Sequence, residues 1–148
     1  MAMTAALMMS GSVAQAQDVN IGRNNITLTS DLMTPETLWA MGRIGAAQAS
    51  PDGKKIVYQV GYYSVKENKG HQVLRVMDAD GKNDRLLTTS AKSEGDAAWL
   101  DNNTLAFLTG GQLWTMNADG TNRKQLTHSD IDIEGFRFSP DRKRVVLI

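Results

Sequence analysis

The sequence has no cysteine, which excludes disulfide bridges and metal sites built from thiolates. It also has no excess of either charge, because 16 Lys and Arg residues balance 16 Asp and Glu residues. A chain without net positive charge lacks the general attraction for a phosphate backbone, so no nucleic-acid partner is expected. The remaining composition, 41% hydrophobic and 22% charged, is typical of a globular protein rather than of a disordered one.

Long apolar runs are missing as well. Residues 1–17 carry no charge, but their apolar part is far shorter than the roughly 20 residues that span a bilayer, so no membrane span is expected. Ala14 and Ala16 form the A-x-A pattern of a cleavage site, which predicts a secretory signal peptide over residues 1–16. A positively charged leading segment is absent, so the true start codon is expected upstream. The alternative is an ordinary mobile N-terminus.

Patterns that carry catalysis or bind metals are absent too. No serine is the middle residue of G-x-S-x-G, the turn that presents the nucleophile in α/β-hydrolases. The two histidines, His71 and His128, fall in different repeats and have no carboxylate at ligand spacing, so no metal site is predicted. The chain is therefore expected to contain no catalytic residue and to bind no cofactor.

The clearest positive signal is a series of short apolar segments separated by turn residues. Turns are predicted at residues 101–103, 110–111 and 119–120, because glycine and the Asp-Gly pair supply the positive backbone angles that short hairpins need. The segments between and around these turns predict strands at residues 97–99, 104–109, 112–117 and 124–127. Together they predict one meander of four antiparallel strands, which is not stable alone.

The same pattern recurs along the chain. Residues 77–81 match residues 116–120 at an offset of 39, and Leu87-Thr88 matches Leu126-Thr127 at the same offset. A period near 40 that consists of strands and turns is typical of β-propeller blades. Helical solenoids are excluded, because long segments with a 3.6-residue period are missing.

These repeats predict an all-β fold, an incomplete β-propeller with WD40-like blades of four antiparallel strands. Residues 47–148 would form two blades and the start of a third, after a signal peptide and an N-terminal arm with one short helix, residues 17–46. Eight side chains are expected to be buried within or between the blades, because each lies in an apolar strand bounded by turns: Ile56, Tyr58, Leu74, Trp99, Phe107, Leu113, Met116 and Phe138.

The helix of the arm is predicted from its capping residues. Thr34 is placed as N-cap, Pro35 at the first helical position, and Glu36 in the first turn, where a carboxylate faces the positive end of the helix. The helix is expected to end at Gly42 or Gly45. Its inward-facing residues are expected to be Leu38, Met41 and Trp39, with Trp39 in the core.

Particular residues resemble a known family. Ser50-Pro51-Asp52-Gly53-Lys54 before an apolar strand, and residues 116–127, resemble the propeller repeat shared by the periplasmic TolB protein and prolyl oligopeptidase family serine peptidases. The lead-in at residues 32–39, with Arg43-Ile44-Gly45 after it, resembles the start of the bacterial dipeptidyl peptidase 5 family. There a Leu-Thr-Pro-Glu helix precedes a first blade that opens with Ser-Pro-Asp-Gly. The resemblance covers the chain after its leader, but only the N-terminal part of the family's length.

This resemblance implies a secreted or periplasmic bacterial peptidase. In the family a Ser-Asp-His triad lies in a C-terminal α/β-hydrolase domain, and the propeller limits access to short peptides. The family's helix lies near the junction of the two domains, so the resemblance implies that Trp39 could instead lie at a contact between domains. The chain ends within an apolar strand at residues 145–148, so we expect a longer gene product whose peptide substrate binds through a hydrolase domain outside this chain, and we expect the chain alone to be inactive. A chain that completes its propeller by self-association is one alternative. A non-enzymatic TolB-like scaffold for protein partners is another.

Candidate substrate-binding residues lie where the first repeat is longer than the second. The excess falls at residues 62–71, and longer loops on repeat scaffolds are common binding sites. Tyr62, Tyr63 and His71 could contact a peptide there. The alternative is a strand pair that extends beyond the sheet and ends in a solvated tip, which needs no ligand.

Overall fold

The computed structural model describes residues 31–65 and 67–148. The predicted signal peptide, residues 1–16, and residues 17–30 of the predicted arm lie outside the described residues, as does Lys66. Within the described residues one short helix precedes ten strands. Their bounds are α1 Pro35–Ala40, β1 Arg43–Ala49, β2 Lys55–Ser64, β3 Lys69–Asp78, β4 Arg85–Leu86, β5 Glu94–Trp99, β6 Thr104–Thr109, β7 Gln112–Asn117, β8 Lys124–Gln125, β9 Phe136–Phe138 and β10 Val145–Leu147. The prediction of an all-β fold is confirmed.

The strands form two four-stranded antiparallel sheets and one two-stranded hairpin. The first sheet has the order β1-β2-β3-β4, the second has the order β5-β6-β7-β8, and β9 pairs with β10. Each four-stranded sheet is a meander, so the four-strand prediction for residues 97–127 is confirmed, with β5 beginning earlier, at Glu94. Gly110 and Gly111 have φ of +56° and +68°, which is the left-handed backbone that a two-residue hairpin needs.

Equivalent hydrogen bonds occur at equivalent positions of the sequence repeat. The N–H of Leu74 donates to the hydroxyl of Thr88 at 2.8 Å, and the N–H of Leu113 donates to the hydroxyl of Thr127 at 2.9 Å. These two bonds lie at the offset of 39 found in the sequence. In both sheets they continue the ladder beyond the short last strand, where a threonine replaces a main-chain partner.

The Ser-Pro-Asp turns also form equivalent structures. The hydroxyl of Ser50 donates to the carboxylate of Asp52 at 2.6 Å, and Ser139 donates to Asp141 at 2.6 Å. Hydrogen bonding to the ionised form lowers the pKa of both carboxyls, and the serine hydroxyl is the main cause in each. Each turn therefore satisfies its own polar groups before the next strand begins.

The second sheet contributes one face to each of two hydrophobic clusters. One cluster joins it to the first sheet: Val57, Leu74, Val76, Leu87, Trp99, Leu105, Phe107, Met116 and Ala118. The other joins its opposite face to the β9–β10 hairpin: Ala106, Leu113 and Phe136, with Ala98, Leu100, Leu108 and Phe138 beside them. Because residues alternate between the faces of a strand, Leu105 and Phe107 face one cluster while Ala106 faces the other. The three sheets are thus stacked face to face.

Five of the eight predicted core residues are buried: Leu74, Trp99, Phe107, Leu113 and Met116. The prediction is wrong for the other three, Ile56, Tyr58 and Phe138, which are half-buried. Ile56 and Tyr58 flank Val57, so they point away from the second sheet. There the hydroxyl of Tyr58 donates to Asp84 at 2.8 Å. Phe138 packs edge-on against Phe136, with 5.6 Å between ring centroids, in a strand of three residues.

The helix begins as predicted, with Thr34 as its N-cap. The Thr34 hydroxyl accepts the N–H of Thr37 at 3.2 Å. The helix ends at Ala40 with Met41 as C-cap, just before the predicted stop at Gly42. The side chain of Glu36, expected to face the helix start, lies outside the described side chains. Within residues 31–65 and 67–148 no helix has the length and apolarity needed to cross a membrane.

The inward orientation predicted for the helix is wrong. Leu38 is 49% exposed, Trp39 is 41% exposed and Met41 is 38% exposed. A helix of six residues makes fewer than two turns, so it presents no complete apolar stripe to a core. It lies beside the end of β2 instead, where a Cβ on Gly42 would be 2.8 Å from the side chains of Val60 and Tyr62.

Candidate functional site

The segment predicted as a long loop, residues 62–71, is mostly strand. Tyr62 pairs with His71, Tyr63 with Gly70, and Ser64 with Lys69 in the β2–β3 ladder. The strand pair is therefore extended, as the alternative describes, and contact of these residues with a peptide stays a prediction. The longer first repeat extends two strands past their neighbours and places their side chains at one end of the first sheet.

Two of the three predicted site residues share a cleft. Tyr62 and His71 line a space of about 320 Å³ together with Arg43, Gln72 and Ser93. His71 is only 6% exposed, and its Nε2 lies 3.3 Å from the carbonyl oxygen of Lys92. A carbonyl accepts hydrogen bonds and does not donate, so that contact orients the ring by donation from Nε2. We call this space the tyrosine cleft.

Tyr63 does not line the tyrosine cleft. Residues that follow one another on a strand point to opposite faces, and Tyr63 points away from Tyr62. Its ring packs against Trp39 with 5.1 Å between centroids, and its hydroxyl donates to Asn68 Oδ1 at 2.5 Å. The guanidinium of Arg43 lies 4.7 Å from the centre of the Trp39 ring, a cation–π distance. Tyr63 thus anchors the short helix to β2.

A second cleft adjoins the tyrosine cleft between the first and second sheets. It has a volume of about 380 Å³ and shares Gln72 and Ser93 with its neighbour. The remaining lining includes the side-chain amide of Gln59, the carboxylate-bearing Asp96 and the β6–β7 hairpin. We call this space the amide-lined cleft. Sequence reasoning missed it, because its residues come from four strands and form no motif.

A buried ion pair lies close to both clefts and was also missed. Glu94, at the start of β5, is 0% exposed, and Arg123 forms a hydrogen-bonded ion pair with its Oε1. Arg123 also donates to the carbonyl of Leu87 at 3.3 Å and lies 4.9 Å from the centre of the Phe107 ring. Since Leu87 follows the last strand of the first sheet, the guanidinium joins the two sheets.

Burial and charge act in opposite directions on Glu94. Burial disfavours the ionised form and raises the pKa of the carboxyl, while the charge of Arg123 opposes that change. The net direction is upward. Nothing local in the sequence marks Glu94, because the residue follows a polar loop and looks like an exposed strand start.

The residues of the two clefts and of the buried ion pair provide hydrogen-bonding groups and charged groups. The described residues contain no group of three or more His, Asp or Glu side chains placed to hold a metal ion. The two clefts present amides, hydroxyls, a carboxylate and a tyrosine ring on rigid strands. Such a lining can donate and accept hydrogen bonds.

The sequence is similar to that of two curated peptidases. It is 35% identical over 125 residues to Dipeptidyl-peptidase 5 of Porphyromonas endodontalis and 36% identical over 125 residues to Dipeptidyl-peptidase 5 of Porphyromonas gingivalis. Each match covers 81% of this chain and 18% of the relative, so the chain spans about a fifth of the length of the relatives it matches. No family model matches the sequence.

The fold is similar to parts of two solved structures. The acylaminoacyl peptidase of Pyrococcus horikoshii matches with a TM-score of 0.61 and 12% identity, over 75% of this chain and 18% of that protein. The AtxE2 isopeptidase in its apo form matches with a TM-score of 0.61 and 18% identity, over 78% of this chain and 23% of that protein. At these identities the structures support the fold alone. The chain is therefore a homologue of dipeptidyl-peptidase 5 over the matched stretch, and it has the fold of a segment that other peptidases also contain.

Proposed function

We propose that this chain is the N-terminal propeller part of a secreted serine dipeptidyl peptidase. The observation that carries the proposal is the 35–36% identity to two proteins named Dipeptidyl-peptidase 5, extending over 81% of the chain. The stacking of meander sheets at a sequence period of 39 supports the propeller, because blades bury each apolar face against the next. In this proposal residues 47–148 belong to the propeller and residues 17–46 form an arm that leads into it.

The propeller contributes access and binding rather than chemistry. A serine nucleophile activated by histidine, with a carboxylate that orients the histidine, would lie in a hydrolase domain outside this chain. The propeller would narrow the path to that serine, so that a short peptide reaches it while a folded protein does not. Residues 1–16 would direct export to the periplasm or the cell exterior.

In this proposal the peptide contacts the tyrosine cleft. Tyr62 supplies an aromatic ring and a hydroxyl, and His71 is oriented by the Lys92 carbonyl. Their partners Arg43, Gln72 and Ser93 add a cation and further hydrogen-bonding groups. A peptide bound there would contact polar groups held by a ten-residue strand pair, which is more rigid than a loop.

The test uses the product of the complete gene. It is expected to release dipeptides from a dipeptidyl chromogenic substrate and to lose that activity after treatment with a serine-directed fluorophosphonate. Residues 1–148 alone are expected to release nothing. A complete product that resists the fluorophosphonate, cleaves no peptide and binds a periplasmic protein would contradict the proposal and favour the TolB-like scaffold.

A further inference from the structure

The amide-lined cleft is built from four strands that meet between the first and second sheets. Gln59 lies on β2, Gln72 on β3 and Asp96 on β5, while Thr109 ends β6 just before the Gly110–Gly111 turn. Its volume of about 380 Å³ is within the range of small-ligand sites in proteins. Leu108 is the one large apolar side chain among the residues that line it. The surface is therefore complementary to hydrogen-bonding groups.

Two polar groups of the cleft lack partners. The hydroxyl oxygen of Thr109 is fully buried and makes no hydrogen bond within the described residues. Buried hydroxyls are nearly always paired, so an unpaired one at the wall of a cleft is unusual. The side-chain amide of Gln72 makes no hydrogen bond within the described part of the chain either, although its main-chain N–H donates to Ser93. Gln72 is exposed, so its side-chain amide is available to a ligand.

Gly95 allows the two glutamine amides to come close to β5. A Cβ placed on Gly95 would lie 3.0 Å from Oε1 of Gln59 and 3.0 Å from Oε1 of Gln72. That spacing is tighter than normal carbon–oxygen contact, so any larger residue would push the amides apart. Gln59 Oε1 also accepts the main-chain N–H of Asp96 at 3.3 Å. Two amides therefore converge on one strip of backbone, each with an acceptor oxygen and a donor NH₂.

Asp96 has an unusual backbone conformation. Its φ is +49°, in the left-handed region that non-glycine residues adopt rarely and at a cost of about 1 kcal/mol or more. It lies in a β-bulge between Gly95 and Ala98. The first sheet has a bulge at the corresponding place, between Ile44 and Ala47, so the bulge itself belongs to the repeat. What distinguishes the second sheet is an exposed carboxylate at this position, with no ion pair to the described residues.

We propose that the amide-lined cleft binds an extended peptide segment. The main chain of the peptide would exchange hydrogen bonds with the amides of Gln59 and Gln72. A cationic group of the peptide would face the carboxylate of Asp96. Paired donors and acceptors match a peptide main chain, which carries both at each residue. This inference rests on the proposed function, since it assigns part of the peptide substrate to a second cleft beside the tyrosine cleft.

The cationic group has two possible sources, a free amino terminus or a lysine side chain. Three probes separate them: an Ala/Ser octapeptide blocked at both ends, the same peptide with a free amino terminus, and the blocked peptide with one central lysine. Binding is measured by calorimetry on the complete gene product after inactivation by fluorophosphonate, which prevents turnover. We expect one of the two charged peptides to bind about five- to tenfold more tightly than the blocked one. High salt should remove that gain.

Three variants test the residues. Gln72→Ala should weaken binding of all three peptides about fivefold, because it removes hydrogen bonds to the peptide main chain whatever the charge of the peptide. Gly95→Ala should act in the same direction by displacing both amides. Asp96→Asn should weaken the preferred charged peptide alone. The matched controls are Gln48→Ala and Asp130→Asn, exposed residues outside the cleft whose side chains make no hydrogen bond within the described residues.

The results separate this inference from the proposed function. Peptide binding that responds to these variants, in a product that cleaves no peptide, would support the cleft and overturn the peptidase proposal. Cleavage with dissociation constants that match the two controls would overturn the cleft and leave the peptidase proposal standing. A variant counts only if its thermal unfolding midpoint matches that of the controls. Gly95→Ala, which removes no polar group, provides the second test if Gln72→Ala fails to fold.

Discussion

The buried ion pair between Glu94 and Arg123 should control how firmly the two sheets hold together. Replacing Arg123 with methionine keeps most of the side-chain stem and removes the guanidinium. Glu94 is 0% exposed, so its carboxylate would remain in the interior without a partner. Removing one member of a buried pair costs about 3–5 kcal/mol. The lost hydrogen bond to the Leu87 carbonyl adds about 1 kcal/mol.

The loss of stability in Arg123→Met should depend on pH, because it leaves the Glu94 carboxyl buried without its partner. Burial raises the pKa of Glu94 in the folded state, so the folded protein binds its proton more tightly than the unfolded chain does. The contribution of such a group to the free energy of unfolding falls as the pH rises from its pKa in the unfolded chain to its higher pKa in the folded protein. Arg123 lowers the pKa of Glu94, so its removal extends this interval upward. The variant should therefore be less impaired near about pH 5 than near about pH 7.5.

Hydrogen exchange at the amides of β5 and β6 measures the relevant free energy of local unfolding in the complete gene product. Arg142→Met is a matched control, because Arg142 is exposed and its side chain makes no hydrogen bond within the described residues. Adding Glu94→Gln to Arg123→Met should restore stability at the higher pH, since the amide carries no charge. A loss below about 1 kcal/mol, an absence of pH dependence, or further loss in the double variant would refute the reasoning.

Three further outcomes follow from the structure. Phe107→Ala should lower the free energy of unfolding by about 3–5 kcal/mol, because Phe107 is fully buried between the two sheets. Ile131→Ala, at a 76% exposed position, should lower it little. Equal thermal unfolding midpoints for the two variants would contradict the assignment of the core. Gly111→Ala should lower the thermal unfolding midpoint more than Gly53→Ala. Both glycines have positive φ, but a Cβ on Gly111 would clash with the Asp132 carboxylate, while one on Gly53 meets nothing within 4 Å; the reverse order would show that this clash is unimportant. Ser50→Ala should raise the pKa of Asp52 toward its ordinary value, because the hydrogen bond from the Ser50 hydroxyl is the largest cause of the lowered pKa. An NMR titration that finds the same pKa in the variant would count against that hydrogen bond.

The predicted strands were largely correct because their signals are local. Gly110–Gly111 and the Asp-Gly turns specify backbone angles that few other residues adopt, and the apolar segments between them have the length of strands. Because the pattern repeats after 39 residues, the strands predicted for one sheet also predicted those of its neighbour. The Thr34 cap was found in the same way, since a hydroxyl three residues before an N–H is a local pattern.

The errors arose where a side chain's partner lies far away in the chain. Leu38 and Met41 were predicted to face a core, but whether a six-residue helix has a core beside it depends on what it packs against. Tyr58 was predicted to be buried, but its face of the sheet points away from the second sheet. Tyr62 and Tyr63 were grouped as one site, and strand alternation separates them onto two faces.

The sequence by itself determined the class of fold, the meander, its period and the likeness to a peptidase family, because turn chemistry and apolar alternation act over a few residues. Only the tertiary structure decided which side chains meet. Four residues that line the amide-lined cleft, Gln59, Gln72, Asp96 and Thr109, are spread over 50 residues and share the cleft because two sheets stack where β5 has its bulge. Glu94 and Arg123, 29 residues apart, pair because the meander of the second sheet brings the start of β5 close to the residue before β8. Contacts of this kind depend on the relative position of whole strands and sheets, a property that no short segment of the chain encodes.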